Sequence, residues 1–204
     1  MLVLRRKEGA VGVEPAAGDA LMVVDVQYDF LPGGALGVAG GDRIIPALNR
    51  YIEQFAAAGL PIVISRDWHP RNHSSFEAHG GPWPPHCVAG THGAEFSSEL
   101  RMPESAWIIS KATDPAREAY SAFQGTDLEA RLRAAGVTRL FIGGLATEYC
   151  VKFTVDDAMA RGFRVCVLED AIRSIDVEPG DGARAIDAMH RSGAESVVLG
   201  APRS

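Results

Sequence analysis

Cysteine is scarce in this chain. Cys87, Cys150 and Cys166 are an odd number at uneven spacings, which is no disulfide framework and suits a reducing cytoplasm. No Cys-x-x-Cys pair is present, so a thiol redox protein is not expected. No apolar run approaches the roughly 18 residues of a membrane span. Basic residues are not in excess either: the formal net charge is −6, which argues against general nucleic-acid binding. The leading MLVLRRKEGAVGVEP has no apolar stretch after its charges, so no signal peptide is expected, and residues 1–18 read as an irregular arm. Internal repeats and low-complexity segments are missing. What is left is ordinary: 204 residues, 47% hydrophobic and 23% charged, enough for one full core. Residues 19–204 therefore read as a single domain.

Apolar runs and helical spacings alternate along it. ALMVVDV (20–26) is a continuous apolar run broken by Asp25, as in a strand covered on both faces. Asp42 is placed to cap a helix carrying Ile44, Ile45, Leu48, Ile52 and Phe55. LPIVIS (60–65) and AWIIS (106–110) are the next strands, separated by a long polar segment with five of the six histidines. A loop of that length inside a compact domain is usually functional. A helix over 126–135, a strand over 140–143, a helix over 151–161, a strand over 163–168, a helix over 181–191 and a last strand over 195–199 complete the pattern. It predicts a three-layer α/β/α domain around a mostly parallel six-stranded sheet.

In such sheets ligands bind beyond the carboxyl ends of the strands, and the polar residues expected there are Asp25, Asp67, Lys111, Cys150 and Asp170. Cys150 ends GGLATEYC (143–150), where a strand, a glycine turn and a helix start meet. With Thr147 as N-cap, Cys150 falls in the first turn, where free N–H groups and the helix dipole favour a thiolate. The ordinary fate of such a residue is a buried core cysteine. Asp25 needs a partner or a proton inside an apolar strand, and Lys111 can supply the cation. That pair is either a plain buried ion pair or, with Cys150, a base, an electrostatic partner and a nucleophile. Asp170 is read as a capping or loop residue. Asp67 and His69, with His73, His79, His86 and His92 downstream, can ligate a divalent metal or be solvated loop residues. Trp68 and Trp83 can wall a flat ligand or pack the loop.

Five separate pieces carry a resemblance: VVDVQYDFLPGGALGV (23–38), SRDWHPRNHSSF (65–76), WPPHCVAGTHGAEF (83–96), KATDPAREAYSAF (111–123) and GGLATEYCVKFTVDDA (143–158). In this order they are similar to the nicotinamidases (pyrazinamidases) of the isochorismatase-like cysteine hydrolase superfamily, over about residues 20–199. The resemblance implies a catalytic triad of Asp25, Lys111 and Cys150, and metal ligands Asp67, His69 and His86. His73 matches a histidine near the metal whose role varies among relatives, a candidate further ligand. Phe30, Trp83 and Tyr120 match aromatics around the substrate ring, the Leu145–Ala146 bond matches a cis peptide, and the Ala146 and Cys150 N–H groups match an oxyanion hole. Gln27 lies beside the site without an assigned chemistry.

The implied activity is hydrolysis of nicotinamide to nicotinate and ammonia through a cysteine thioester, in NAD salvage, with pyrazinamide as a further substrate. One divalent ion (zinc, iron or manganese) would orient the pyridine ring. A small carboxamide is the expected partner, with no nucleic acid or membrane, and a homo-oligomer is compatible with the sequence. The competing readings are a metal-independent amidohydrolase of the superfamily acting on a ureido or carbamoyl compound, and a non-catalytic binding domain on the same fold.

Overall fold

The computed structural model describes residues 15–198. Most of the expected N-terminal arm and the end of the last expected strand, Leu199, lie outside that range. Six strands form one sheet: β1 (Asp19–Val24), β2 (Ile62–Asp67), β3 (Trp107–Lys111), β4 (Arg139–Leu145), β5 (Arg164–Arg173) and β6 (Glu195–Val197). Their order is β3-β2-β1-β4-β5-β6, and every pairing is parallel, where the sequence led us to expect a mostly parallel sheet. The chain winds outward from β1 to β3, crosses back, and winds out the other way from β4. The switch point is thus the crevice beyond the ends of β1 and β4.

Helix α1 (Ile45–Ala57) turns Ile45, Leu48, Tyr51, Ile52 and Phe55 inward, and these pack with Leu21 and Val23 of β1. Phe55 meets Phe141 of β4 edge-on, with ring centroids 5.3 Å apart. Ala20, Met22 and Val24 point to the opposite face, where α2 (Leu128–Ala134), α3 (Lys152–Ala160) and α4 (Asp181–Arg191) supply Leu128, Leu132, Val155, Ala158 and Met189. This alternation is why β1 reads as a continuous apolar run. The first face has α1 and, in place of further helices, the long 68–106 segment. Cys87, Ala94 and Leu100 of that segment are buried in the same core.

Glycines let β4 sit centrally. A Cβ at Gly144 (φ 130) would lie 2.0 Å from the Val24 carbonyl oxygen, and one at Gly143 would lie 2.9 Å from that of Ala171. The β4–β5 register also shifts between Ile142 and Gly144.

Several local expectations are corrected. Neither Asp42 nor Thr147 caps a helix with its side chain: a single helical turn, Gly41–Ile44, leads into α1, and a wide turn, Thr147–Val151, leads into α3. Thr147 is itself buried. Strand β5 continues to Arg173, so Asp170 lies within it and accepts a hydrogen bond from the Tyr51 hydroxyl at 2.8 Å. Asp25 lies one residue past β1, while Asp67 and Lys111 are the last residues of β2 and β3.

Candidate active site

The ends of β1, β2, β3 and β4 converge on one buried cluster. Asp25 has a left-handed backbone (φ 50), tolerable for aspartate, and is fully buried. Strand pairing sets Ser65 beside it, and the Ser65 hydroxyl donates to Asp25 Oδ1 at 2.6 Å. Lys111 crosses from the edge strand β3. Its Nζ lies 2.9 Å from Asp25 Oδ2, pairs with Asp67 Oδ1, and approaches Cys150 Sγ at 3.4 Å. Although Lys111 faces Asp25 Oδ2, that oxygen accepts no well-directed hydrogen bond. Acceptor atoms of Asp25, Asp67 and Cys150 all lie within 4.8 Å of one another.

Burial and charge act in opposition here. Burial raises the Asp25 carboxyl, with Lys111 pulling the other way. Burial by itself would lower Lys111, but Asp25, Asp67 and Cys150 outweigh it, so the ammonium persists far into alkaline pH. Burial also pushes the Cys150 thiol well above its usual value, against Lys111. Burial thus works against the thiolate that the helix start would favour, and Asp25 stands close enough to take the thiol proton.

Next to this cluster stand Asp67, His69 and His86, all buried, with ligand atoms within 4.8 Å of one another. His69 Nδ1 lies 3.1 Å from the His86 carbonyl oxygen, and His86 Nδ1 lies 2.8 Å from that of Pro84. A carbonyl can only accept, so both Nδ1 atoms carry a proton, and Nε2 is the atom each ring can turn to an ion. Burial lowers the His86 pKa, which holds the ring neutral. Two imidazoles oriented through Nδ1 and a carboxylate are a donor set suited to a borderline divalent ion, so these residues fit the metal that the resemblance implied. His73 differs: its ring nitrogens meet Ser75 Oγ at 2.7 Å and the Arg117 carbonyl oxygen at 3.0 Å. It packs beside His69, ring centroids 4.5 Å apart, and with His69 and Glu118 it forms a second group whose ligand atoms lie within 4.8 Å of one another. His79 and His92 are not part of the Asp67/His69/His86 group.

One cavity of about 30 Å³ joins the two halves, lined by Phe30, Leu36, Asp67, Trp83, His86, Glu118, Tyr120, Ala146, Tyr149, Cys150 and Ile175. Trp83 Nε1 donates to the Tyr120 hydroxyl at 2.9 Å, closing one wall. The peptide Leu145–Ala146 is cis, as the resemblance implied. Ala146 O accepts from Tyr149 N (3.1 Å) and Val151 N (3.2 Å), and the Cys150 N–H lies in the turn between them.

Several residues of this site went unread in the sequence. Gln27 pairs with the Asp67 backbone in both directions at 2.8 Å and donates to Ala94 O at 2.9 Å, so it fixes a metal-site residue in place. Glu118 brings Oε1 to 3.9 Å from His69 Nε2. Burial would raise its carboxyl, but His69 and the Ala119 N–H hold it at about 2, so it is anionic at the cavity edge. Its available signal was its place in KATDPAREAY, two residues before Tyr120. Tyr149 and Ile175 complete the apolar wall; Tyr149 directly precedes Cys150.

A buried thiol, carboxylate and ammonium at the switch point of a parallel sheet is the arrangement of a cysteine hydrolase on an α/β scaffold. The chain belongs to the isochorismatase family, residues 19–197 matching the isochorismatase domain. It is 38% identical over 201 residues to the nicotinamidase of Escherichia coli, covering 88% of this chain and 94% of that one. Its fold is similar to the crystal structure of the pyrazinamidase of Pyrococcus horikoshii in complex with zinc: TM-score 0.86, 53% identity, 89% of this chain and 99% of that one. It is likewise similar to PnC1 from L. infantum in complex with nicotinate: TM-score 0.85, 34% identity, 92% and 96% covered.

Proposed function

We propose that the chain is a nicotinamidase, hydrolysing nicotinamide to nicotinate and ammonia for NAD salvage and accepting pyrazinamide by the same chemistry. The observation that carries this reading is one cavity lined both by Cys150 and Ala146 and by the metal-site residues Asp67 and His86, with Phe30, Trp83, Tyr120 and Tyr149 as its aromatic walls. A flat ring with a carboxamide on one side and a ring nitrogen on the other matches that layout. The relatives' activities, and the zinc and nicotinate complexes of two of them, support it.

Asp67, His69 and His86 would hold one divalent ion, zinc being favoured by the pyrococcal complex. Bound there, it would supply an electrophilic point for the ring nitrogen, so that the carboxamide faces Cys150. The chain's own residues carry the covalent steps. Asp25 takes the Cys150 proton as sulfur attacks the carboxamide carbon. The Ala146 and Cys150 N–H groups receive the developing oxyanion, a kind of contact typically worth ~3 kcal/mol. Asp25 then delivers its proton to the departing nitrogen, which leaves as ammonia. Water adds to the thioester, gives its proton to Asp25, and releases nicotinate and the thiol. Lys111 keeps Asp25 ionised between these transfers.

The ureido or carbamoyl alternative is not favoured. That reading dispenses with a metal, whereas Asp67 and His86 of a possible metal-holding group line the same cavity as Cys150. Ammonia release from nicotinamide by the purified protein, before and after chelation and with zinc restored, tests the proposal. Release that falls on chelation and returns with zinc is expected. No release with zinc, iron or manganese supplied would overturn it.

A further inference from the structure

Cys87 follows His86 and adopts a left-handed backbone, φ 44, which is uncommon for a residue with a side chain. It is fully buried, and both ends of it are held. Its carbonyl accepts from His69 N at 3.0 Å, and Ala89 N returns a bond to His69 O at 2.8 Å, so one short ladder joins the His69 backbone to the stretch that directly follows His86. Its N–H donates to Asp29 Oδ2 at 2.7 Å, across 58 residues of sequence.

Asp29 is built into this place. Oδ1 accepts from Ala35 N at 3.3 Å, and the Asp29 carbonyl accepts from Leu36 N at 2.9 Å. Gly93 lies flat against the carboxylate, and a Cβ there would come within 2.1 Å of Oδ2. The residue belongs to the VVDVQYDF piece, yet neither the triad nor the proposed metal ligands use it.

We propose that Asp29 is a positioning residue for the metal site: it holds Cys87 in the left-handed conformation that aims His86 Nε2 at Asp67 and His69. Without that acceptor, Cys87 relaxes toward ordinary backbone angles and His86 turns with it. The proposal rests on the metal-site reading above. Residues that fix a ligand in this way typically contribute ~10–100-fold to metal affinity.

Zinc affinity, measured on the full chain by competition with a chromophoric chelator, tests it. A thermal melt of each variant checks folding. Asp29→Ala should weaken zinc by ~10–100-fold. Asp29→Asn, which keeps a carbonyl oxygen for the Cys87 N–H, should lose only about threefold. Gly93→Ala pushes on the same contact from the other side and should weaken zinc as well, a second route should Asp29→Ala fail to fold. Glycine takes a positive φ without steric cost, so Cys87→Gly in the Asp29→Ala background should recover a large part of the loss. Parental affinity in both folded Asp29→Ala and Gly93→Ala, or no recovery in the double variant, would overturn the proposal. If the parent itself binds no zinc, the metal-site reading falls, and this proposal with it.

Discussion

Ser65 donates its hydroxyl proton to Asp25 Oδ1 at 2.6 Å, while Oδ2 faces the Lys111 ammonium at 2.9 Å. Removing the Ser65 hydroxyl takes away a contact that favours the charged carboxylate. The Asp25 pKa should rise in Ser65→Ala, so the acid limb of kcat/KM moves to higher pH. The loss at slightly acid pH should be about tenfold, given ~1.4 kcal/mol for a hydrogen bond to a charge. Ser65→Thr should restore the parental profile. A pH–rate profile with an unmoved acid limb in Ser65→Ala would refute this role.

Lys111 is shared by two buried carboxylates, so its loss should be felt twice. Lys111→Met leaves Asp25 and Asp67 buried without a cation, at a cost of about 3–5 kcal/mol. An acid whose folded pKa exceeds its unfolded one destabilises most above the folded pKa. The deficit should therefore be largest at neutral and alkaline pH and shrink as pH falls toward the Asp25 pKa. Turnover should drop by on the order of 10²-fold or more. Denaturant melts across pH, with steady-state rates, check both; a deficit that grows on acidification would contradict the pairing.

Cys150→Ala should abolish turnover, by on the order of 10⁴-fold or more, while leaving the fold and the zinc affinity near parental. Circular dichroism, zinc titration and ammonia release together decide this. Substantial residual release would remove Cys150 as the nucleophile.

His69→Ala removes one imidazole of the donor set and the ring that His73, Phe76 and His86 pack against. Bound metal, measured by atomic absorption, should fall below one equivalent, and KM for nicotinamide should rise by at least about tenfold, as losing a ligand costs more than losing a residue behind one. Unchanged metal content and kinetics would reduce these histidines to loop packing.

The strands and the polar residues at their ends were legible because both depend on local pattern. An apolar run marks a doubly covered strand, and Asp25 and Cys150 stand beside such runs, while Asp67 and Lys111 end two of them. The continuation of β5 was not legible, since EDAIR interrupts the apolar pattern with charges whose partners are distant in sequence: Glu169 meets Ser196 and His190, and Asp170 meets Tyr51. Thr147 looked like a cap because its type and position were right, but the turn it opens is wide and buried. Gln27, Ser65 and Asp29 gain their roles from partners 40 to 58 residues away, and no local pattern encodes such a meeting. His73 lies close enough to the ligands to be counted with them; only its two hydrogen bonds separate it from them.

The 68–106 segment both covers one face of the sheet and carries His69 and His86. Elsewhere in this fold those tasks are divided, with helices sealing the core and loops presenting the chemistry. Here a divalent ion drawing His69, His86 and Asp67 together would also fasten the lid of the hydrophobic core, because Cys87, Ala94 and Leu100 are carried on the same stretch of chain. An ion that binds only the folded chain adds about 2.7 kcal/mol at a hundred times its dissociation constant. Occupancy of the site and resistance to heat would thus rise and fall together, and the supply of a trace metal would set how long the molecule lasts as well as how fast it turns over.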